Sequence, residues 1–336
     1  MPDSRFTSAV LQWYAAFGRD LPWRRTRDPY AIWLSEIILQ QTRIAQGQSY
    51  WERFMARFPN VESLAAASED EVLRLWEGLG YYSRGRNLLA AARQIVAAGA
   101  FPDTIEGIRA LKGVGDYTAA AIGSIAFNLP AAVVDGNVYR VLSRYFGIAT
   151  PVGSTAAKKE FTALAQSLLP PGRPGDFNQA MMDFGALQCT PQSPACLTCP
   201  LADDCVALRT GRTGELPVRK AAVKVRERLL YYVYIRCGGE TAIRRRGPGD
   251  IWQGLWEPYL EEGELHGFSD MRLLKKGVRH QLTHQSLTVD FFLLECDEKP
   301  SLPDEYIWIP EPALAQYAKP RLFELLLELL PEERKN

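Results

Sequence analysis

Four of the chain's six cysteines fall within seventeen residues, spaced Cys189-x6-Cys196-x2-Cys199-x5-Cys205. Thiolates that close in sequence can wrap a single centre, so the stretch is expected to fold as a tight loop around a shared partner. Paired disulfides are disfavoured for an intracellular chain of this size. Structural zinc is the ordinary reading, although zinc knuckles pair two close cysteine couples and only the middle couple is close here. Thiolates also hold iron-sulfur clusters, so the cysteines alone leave zinc and iron-sulfur both open. Cys237 and Cys296 lie in strand-like sequence and read as packing residues.

The 336 residues leave room for two domains. With 39 basic and 39 acidic side chains the formal charge is zero. That excludes a bulk polycation but not a local basic face. Three histidines argue against a His-rich metal centre. The N-terminal MPDSRFTSAV lacks the apolar segment of a signal peptide. The most apolar stretch, 117–134, is broken by Ser124, Asn128 and Pro130, so it reads as a buried helix and a loop rather than a membrane span. The expectation is a soluble, intracellular monomer.

Residues 1–209 carry helical period and caps. Asp28-Pro29 opens a helix to Leu39, Ser68 and Glu71 form a capping box, and Gly99 and Gly147 stop two others. Residues 210–228 hold six basic against two acidic side chains and read as a linker. From 229 to 336 short Tyr-, Val-, Ile- and Phe-rich strands alternate with Gly and Pro, followed by an amphipathic helix at 322–330. The fold class is an all-α domain followed by a small α+β domain.

Three segments carry chemistry. In Leu111–Ala119, LKGVGDYTA, Gly113 and Gly115 allow close backbone approach just before a helix start, a setting that suits phosphate, although most such turns are only turns. In VVDGNVYR, Asp135 precedes a helix; it reads first as an N-cap and second as an ionised carboxylate available to a developing cation. In AIWLSEIIL, Glu36 sits in a helix apolar almost all round. Its carboxyl is therefore either satisfied by an Arg partner or raised in pKa as a general acid or base. Two carboxyls in unlike environments match the division of labour in glycosidic bond cleavage.

LPWR, SEIILQQT, GLGYYSRGRNL, LKGVGDYTA, VVDGNVYR and the cysteine loop follow one another in the order found in MutY-type adenine DNA glycosylases of the endonuclease III superfamily. The resemblance continues into the second domain. It implies a helix-hairpin-helix glycosylase domain with a [4Fe-4S] loop at 189–205, then a Nudix-like domain that reads 8-oxoguanine. The activity it implies is flipping and hydrolytic removal of adenine opposite 8-oxoguanine or guanine in duplex DNA. Glu36 would protonate adenine at N7 and later help activate water, and Asp135 would stabilise the oxocarbenium sugar. Tyr117 and Asn137 would support them, while Trp23, Arg24 and Gln179 line the adenine pocket.

On the DNA side the resemblance assigns Gln41 and Tyr81 as wedges around 8-oxoguanine. It places Gly113 and Gly115 on backbone phosphate with a monovalent cation, and Thr283 and His284 in the 8-oxoguanine loop. Cys189, Cys196, Cys199 and Cys205 would hold the cluster. Tyr117 stands where bifunctional relatives carry a Schiff-base lysine, which points to hydrolysis without a strong lyase step. The alternatives are a bifunctional oxidised-pyrimidine glycosylase and a non-catalytic iron-sulfur DNA-binding protein. Localisation follows the DNA, cytoplasmic and nucleoid-associated. Three departures stand out. Leu282-Thr283-His284 replaces Phe-Ser-His, Arg43 stands where many relatives have Gln, and Asp116 follows the hairpin. No acidic Nudix box is found, so magnesium pyrophosphohydrolase activity is not expected.

Overall fold

In the computed structural model, residues 4–219, 226–282 and 284–331 are described. The chain clusters into two compact units, Met1–Ala66 with Ala90–Ala221, and Ala67–Leu89 with Ala222–Asn336. The helices are α1 (Ser4–Phe17), α2 (Pro29–Leu39), α3 (Ile44–Arg57), α4 (Val61–Ala65), α5 (Glu69–Trp76), α6 (Ser83–Ala98) and α7 (Ile105–Arg109). They continue as α8 (Asp116–Ala126), α9 (Gly136–Phe146), α10 (Thr155–Leu168), α11 (Pro174–Asp183), α12 (Val206–Arg209) and α13 (Arg321–Leu327). Among the described residues no helix is long and apolar enough to cross a membrane.

The first unit is helical. Asp28 accepts from the Tyr30 amide at 3.0 Å, and Pro29 takes the first helical position, which fixes the start of α2. Its side chains from Tyr30 to Ser35 are all buried, as are Ile37 and Ile38. Burial of each large apolar side chain contributes about 1.5–3 kcal/mol, so α2 is held by packing rather than by its caps. A neighbouring core packs Phe6, Val10 and Trp13 of α1 against Val138, Val141 and Leu142 of α9, Phe161 of α10 and Phe177 of α11. The Gly147 stop is realised: its φ of 72° is left-handed and closes α9.

The second unit is built on a sheet of β1 (Arg226–Cys237), β2 (Glu240–Arg245), β3 (Trp256–Glu257), β4 (Tyr259–Glu262), β5 (Arg272–Gln281), β6 (Gln285–Cys296) and β7 (Tyr306–Pro310). The order is β3-β2-β1-β6-β5, with β4 also on β1 and β7 on β2. β1 and β6 run parallel from Arg226 opposite Gln285 to Cys237 opposite Cys296. Leu322, Phe323 and Leu326 of α13 cover one face over Tyr232, Tyr234 and Phe291.

The unit is discontinuous in sequence, because residues 67–89 cluster with the sheet. Specific polar contacts account for this. Arg245 pairs with Glu69 at 2.8 Å, the Tyr82 hydroxyl donates to the Lys319 carbonyl at 3.3 Å, and Arg86 donates to the Gln253 carbonyl. None of these partners is near in sequence, so a reading by composition places that segment in the helical half.

Glu257 of β3 is fully buried and takes ion pairs from Arg244, at 3.0 Å, and from Arg246. Removing one member of a buried ion cluster strands the other charges. Glu257→Ala is therefore expected to destabilise this unit by about 3–5 kcal/mol, read by chemical denaturation followed through the sheet's circular dichroism.

Candidate active site

A cavity of about 480 Å³ in the helical unit is lined by Glu36, Tyr117, Asp135, Asn137, Trp23, Arg24 and Gln179. Residues spread over more than 150 positions of sequence thus meet in one place. α2 supplies Glu36, the first turn of α8 supplies Tyr117, the start of α9 supplies Asp135 and Asn137, and α11 supplies Gln179. Trp23 and Arg24 come from a short 3-10 turn, Pro22–Arg24.

Glu36 is only partly exposed and opens onto the cavity. Burial is the largest influence on its carboxyl and raises its pKa to about 7, against the lowering effects of the Tyr117 hydroxyl and the Arg24 charge. The nearby Asp135 charge raises it further. The same burial, with the charges of Glu36 and Asp135, holds the Tyr117 phenol well above its usual value, so Tyr117 stays a neutral donor.

Asp135 lives in a different setting. One carboxylate oxygen accepts from the amides of Asn137 and Val138 at 2.9 and 2.8 Å, and the other accepts from the Asn137 side chain at 2.8 Å. The N-cap reading is therefore realised, and the capped carboxylate also lines the cavity. Arg140 donates to the Asn137 side-chain oxygen at 2.8 Å and to the Cys189 carbonyl at 2.7 Å. A continuous hydrogen-bonded path thus links the cavity carboxylate to the start of the cysteine loop.

One partner of this site was not foreseen in the sequence. Asp183, at the end of α11, is fully buried and binds Arg24 through both oxygens at 2.7 and 2.8 Å. It also accepts from the Arg19 amide at 2.9 Å and pairs with the Arg19 side chain. Burial alone would raise its pKa, but the hydrogen bonds from Arg24 and Arg19 win and hold it below the usual carboxylate range. The Arg partner that Glu36 could have taken is thus committed to Asp183. Only the polarity of AMMDF within an apolar helix end hints at this, and nothing local names its partners.

The other sequence candidates lie apart. Gln41 is exposed with a left-handed φ of 58°, and Gly113 has φ 79°; Gly115 caps α8 in extended geometry. Asp116, which follows the hairpin, is neutralised by Lys158 at 2.7 Å and by Arg109 at 3.5 Å. Tyr81 and His284 belong to the second unit, where both line a cavity of about 610 Å³ together with Leu282, Trp252 and His280. Tyr81 has φ 47° and is 51% exposed, an unusual posture for a large aromatic. Thr283 lies outside the described residues, as does part of the basic linker, 220–225.

None of the four loop cysteines is in a disulfide, and Cys189, Cys199 and Cys205 pack against the helical core. Arg144 donates to the Cys189 sulfur at 3.4 Å. Burial pushes the Cys199 thiol up to about 11, and the three other cysteines add to it. Cationic iron bound there would reverse the elevation at Cys199. Among the described residues no three Cys, His, Asp or Glu side chains close onto the point that one metal ion needs. The loop presents four thiols, Cys189, Cys196, Cys199 and Cys205, the donor type that holds iron-sulfur clusters.

Comparison with known proteins agrees with this layout. Residues 34–171 match the family described as HhH-GPD superfamily base excision DNA repair protein. Residues 189–205 match the iron-sulfur binding domain of endonuclease III, and residues 231–329 match a NUDIX domain. The adenine DNA glycosylase of Mus musculus is 47% identical over 222 residues, which is 63% of this chain and 43% of that protein. That of Homo sapiens is 48% identical over 213 residues, covering 60% and 39%. The chain therefore spans about two fifths of these mammalian relatives. The adenine DNA glycosylase of Buchnera aphidicola subsp. Acyrthosiphon pisum is 35% identical over 254 residues, 75% of this chain and 73% of that protein. Among solved structures, a thermostable thymine-DNA glycosylase superposes with TM-score 0.56 at 32% identity, covering 61% of this chain and 95% of that one. An endonuclease III in a non-covalent DNA complex gives TM-score 0.54 at 21% identity, covering 63% and 98%, and shares the fold.

Asp183→Asn removes the anion that offsets Arg24. The Glu36 carboxyl then feels more positive charge, and its pKa is expected to fall below about 7. NMR titration of labelled glutamate carboxyls, compared between the two proteins, reads this directly; an unchanged Glu36 titration contradicts the coupling.

Proposed function

This chain belongs to the adenine DNA glycosylase family, and from that premise we propose that it hydrolyses the glycosidic bond of adenine mispaired with 8-oxoguanine or guanine in duplex DNA. The observation that carries the reading is one cavity holding two carboxyls in opposed environments, Glu36 raised to about 7 and Asp135 hydrogen-bonded at a helix start. The adenine, flipped from the stack, takes the space between Trp23, Arg24 and Gln179. Glu36 gives its proton to N7. The C1′–N9 bond breaks, its electrons leave with the purine, and the Asp135 carboxylate faces the sugar cation. Glu36, now ionised, takes a proton from the attacking water, and an abasic sugar remains. Tyr117 donates to Glu36 in its ionised form, and Asn137 holds Asp135 in place.

Among the described residues no lysine lines this cavity, which supports hydrolysis over the bifunctional lyase reading. Four cysteines, Cys189, Cys196, Cys199 and Cys205, would hold a [4Fe-4S] cluster. A cluster held there would cross-link the loop, which Arg140 and Arg144 of α9 contact through the Cys189 carbonyl and sulfur and the Thr190 carbonyl. The hairpin at Gly113 and Gly115 holds backbone phosphate and a monovalent cation. In the second unit, Tyr81, Thr283 and His284 read the 8-oxoguanine. The protein works as a monomer wherever the chromosome lies.

Glu36→Gln keeps the shape but cannot give up a proton in the same way. It is expected to lower single-turnover adenine release by at least about 100-fold while leaving duplex binding within a few-fold. Release at near wild-type rate would remove Glu36 from the role. Incubation with borohydride should trap little covalent adduct; efficient trapping supports the lyase reading instead.

The pH dependence follows from the same group. Its pKa is raised in the folded protein, so Glu36 is protonated below about 7 and loses its proton as pH rises through that value. Adenine release is expected to fall along an alkaline limb near pH 7. The folded state also loses the stability tied to this proton over the interval from the ordinary glutamate value to about 7. Single-turnover rates measured across neutral pH check the limb; a flat profile contradicts the acid role.

A further inference from the structure

A second cavity of about 480 Å³ in the helical unit lies along the opposite flank of α9 and is not used by the chemistry above. Gly136, Tyr139, Arg140 and Arg144 line it from the helix, and Pro191 and Arg219 close it from two loops. Arg140 and Arg144 are 8% and 3% exposed. Arg140 donates to the Cys189, Gly136 and Gly185 carbonyls and to Asn137, and Arg144 to the Leu216, Thr190 and Pro191 carbonyls. These are neutral acceptors. The one anionic candidate among them is the Cys189 sulfur, which belongs to the cysteine loop. Arg219 is exposed at the mouth. Among the described residues the one acid in the lining, Glu215, is already held by Arg212 at 3.0 Å.

Arg140 feels the Asp135 and Cys189 charges and Arg144 bonds the Cys189 sulfur, but their other hydrogen bonds go to neutral oxygens, so with Arg219 the cavity keeps a cationic lining that favours a further anion. Gly136 offers open backbone at the same place: a Cβ added there would meet nothing within 4 Å. Asp135 and Asn137 of the adjoining turn face the catalytic cavity, whereas Gly136, Tyr139 and Arg140 face this one. A sugar held at Asp135 carries phosphodiester groups on both sides, within the reach of one helical turn. Helix starts and arginines are the ordinary ligands of such groups.

We propose that this cavity is a phosphate subsite that holds a backbone phosphodiester of the strand whose nucleoside enters the catalytic cavity, with the exposed Arg219 as its cationic ligand and Tyr139 as a neutral donor. The inference rests on the reading of the chain as a DNA glycosylase. A phosphodiester is committed to rather than a free anion, because the first turn of α9 is shared with Asp135.

The test uses the full chain and a short duplex carrying adenine opposite 8-oxoguanine. Kd is measured against salt for the wild type, Arg219→Ala, Arg219→Glu and Tyr139→Phe, and single-turnover adenine release is measured at saturating enzyme. Arg219 is exposed and outside the catalytic cavity, so these variants are expected to fold and to keep the saturated rate. Arg219→Ala should weaken duplex binding about 5- to 10-fold near 0.1 M salt and lower the slope of log Kd against log salt by about 0.9, the loss of one phosphate contact. Arg219→Glu should weaken it further, and Tyr139→Phe should weaken it without changing the slope.

An unchanged slope for Arg219→Ala overturns the subsite. So does Arg219-dependent binding of inorganic phosphate with no effect on the duplex, which would make the cavity a small-anion site. If the wild type itself neither binds the duplex nor releases adenine, the functional reading fails first, and that failure is visible before any variant is compared.

Discussion

The desolvation of one carboxyl sets the terms for the candidate site. Glu36 stands on a helix whose other positions are almost all buried, so its charge cannot be stabilised by water on the helix side. Burial outweighs the opposing influences of Tyr117 and Arg24 and leaves a group that changes protonation near pH 7. That balance depends on Arg24 being committed elsewhere. Asp183 takes both arms of its guanidinium, so Arg24 tempers the Glu36 pKa without abolishing its elevation.

Asp135 meets the opposite requirement by local means. The first turn of α9 supplies two amides, and Asn137 supplies a side-chain donor, all within three residues. The geometry of Asn137 is in turn fixed by Arg140, whose other bond reaches the Cys189 carbonyl. The cysteine loop and the cavity carboxylate therefore share one rigid helix. Whatever orders the loop also orders the turn that carries Asp135.

Local signals announced much of this. Asp28-Pro29, the Ser68 cap, Gly147 and the helix starts at Asp116 and Gly136 coincide with the elements found, because caps and stops act within a turn of the chain. The principal strands, β1, β2, β6 and β7, also coincide with alternating or apolar runs. β3 and β4 were not legible. They are two and four residues long and exist only because β2 and β1 offer free edges. Helices α10 and α11 were missed as well. Their lengths are ordinary, but their faces are defined by the core of α1 and α9 that they cover.

What this chain determined by sequence alone is the chemistry carried on short segments: the cysteine spacing, the hairpin glycines, an acid in an apolar helix and an acid before a helix start. Each is a property of a few neighbouring residues and survives reading in one dimension. Tertiary structure alone decided which of those segments share a cavity, that Asp183 rather than Glu36 receives Arg24, and that residues 67–89 cluster with the sheet and place Tyr81 beside Leu282 and His284. Those outcomes depend on partners far apart in sequence, 99 residues for Glu36 and Asp135 and 159 for Arg24 and Asp183. Their pairing is fixed by which apolar faces pack together and which buried charges must then be matched.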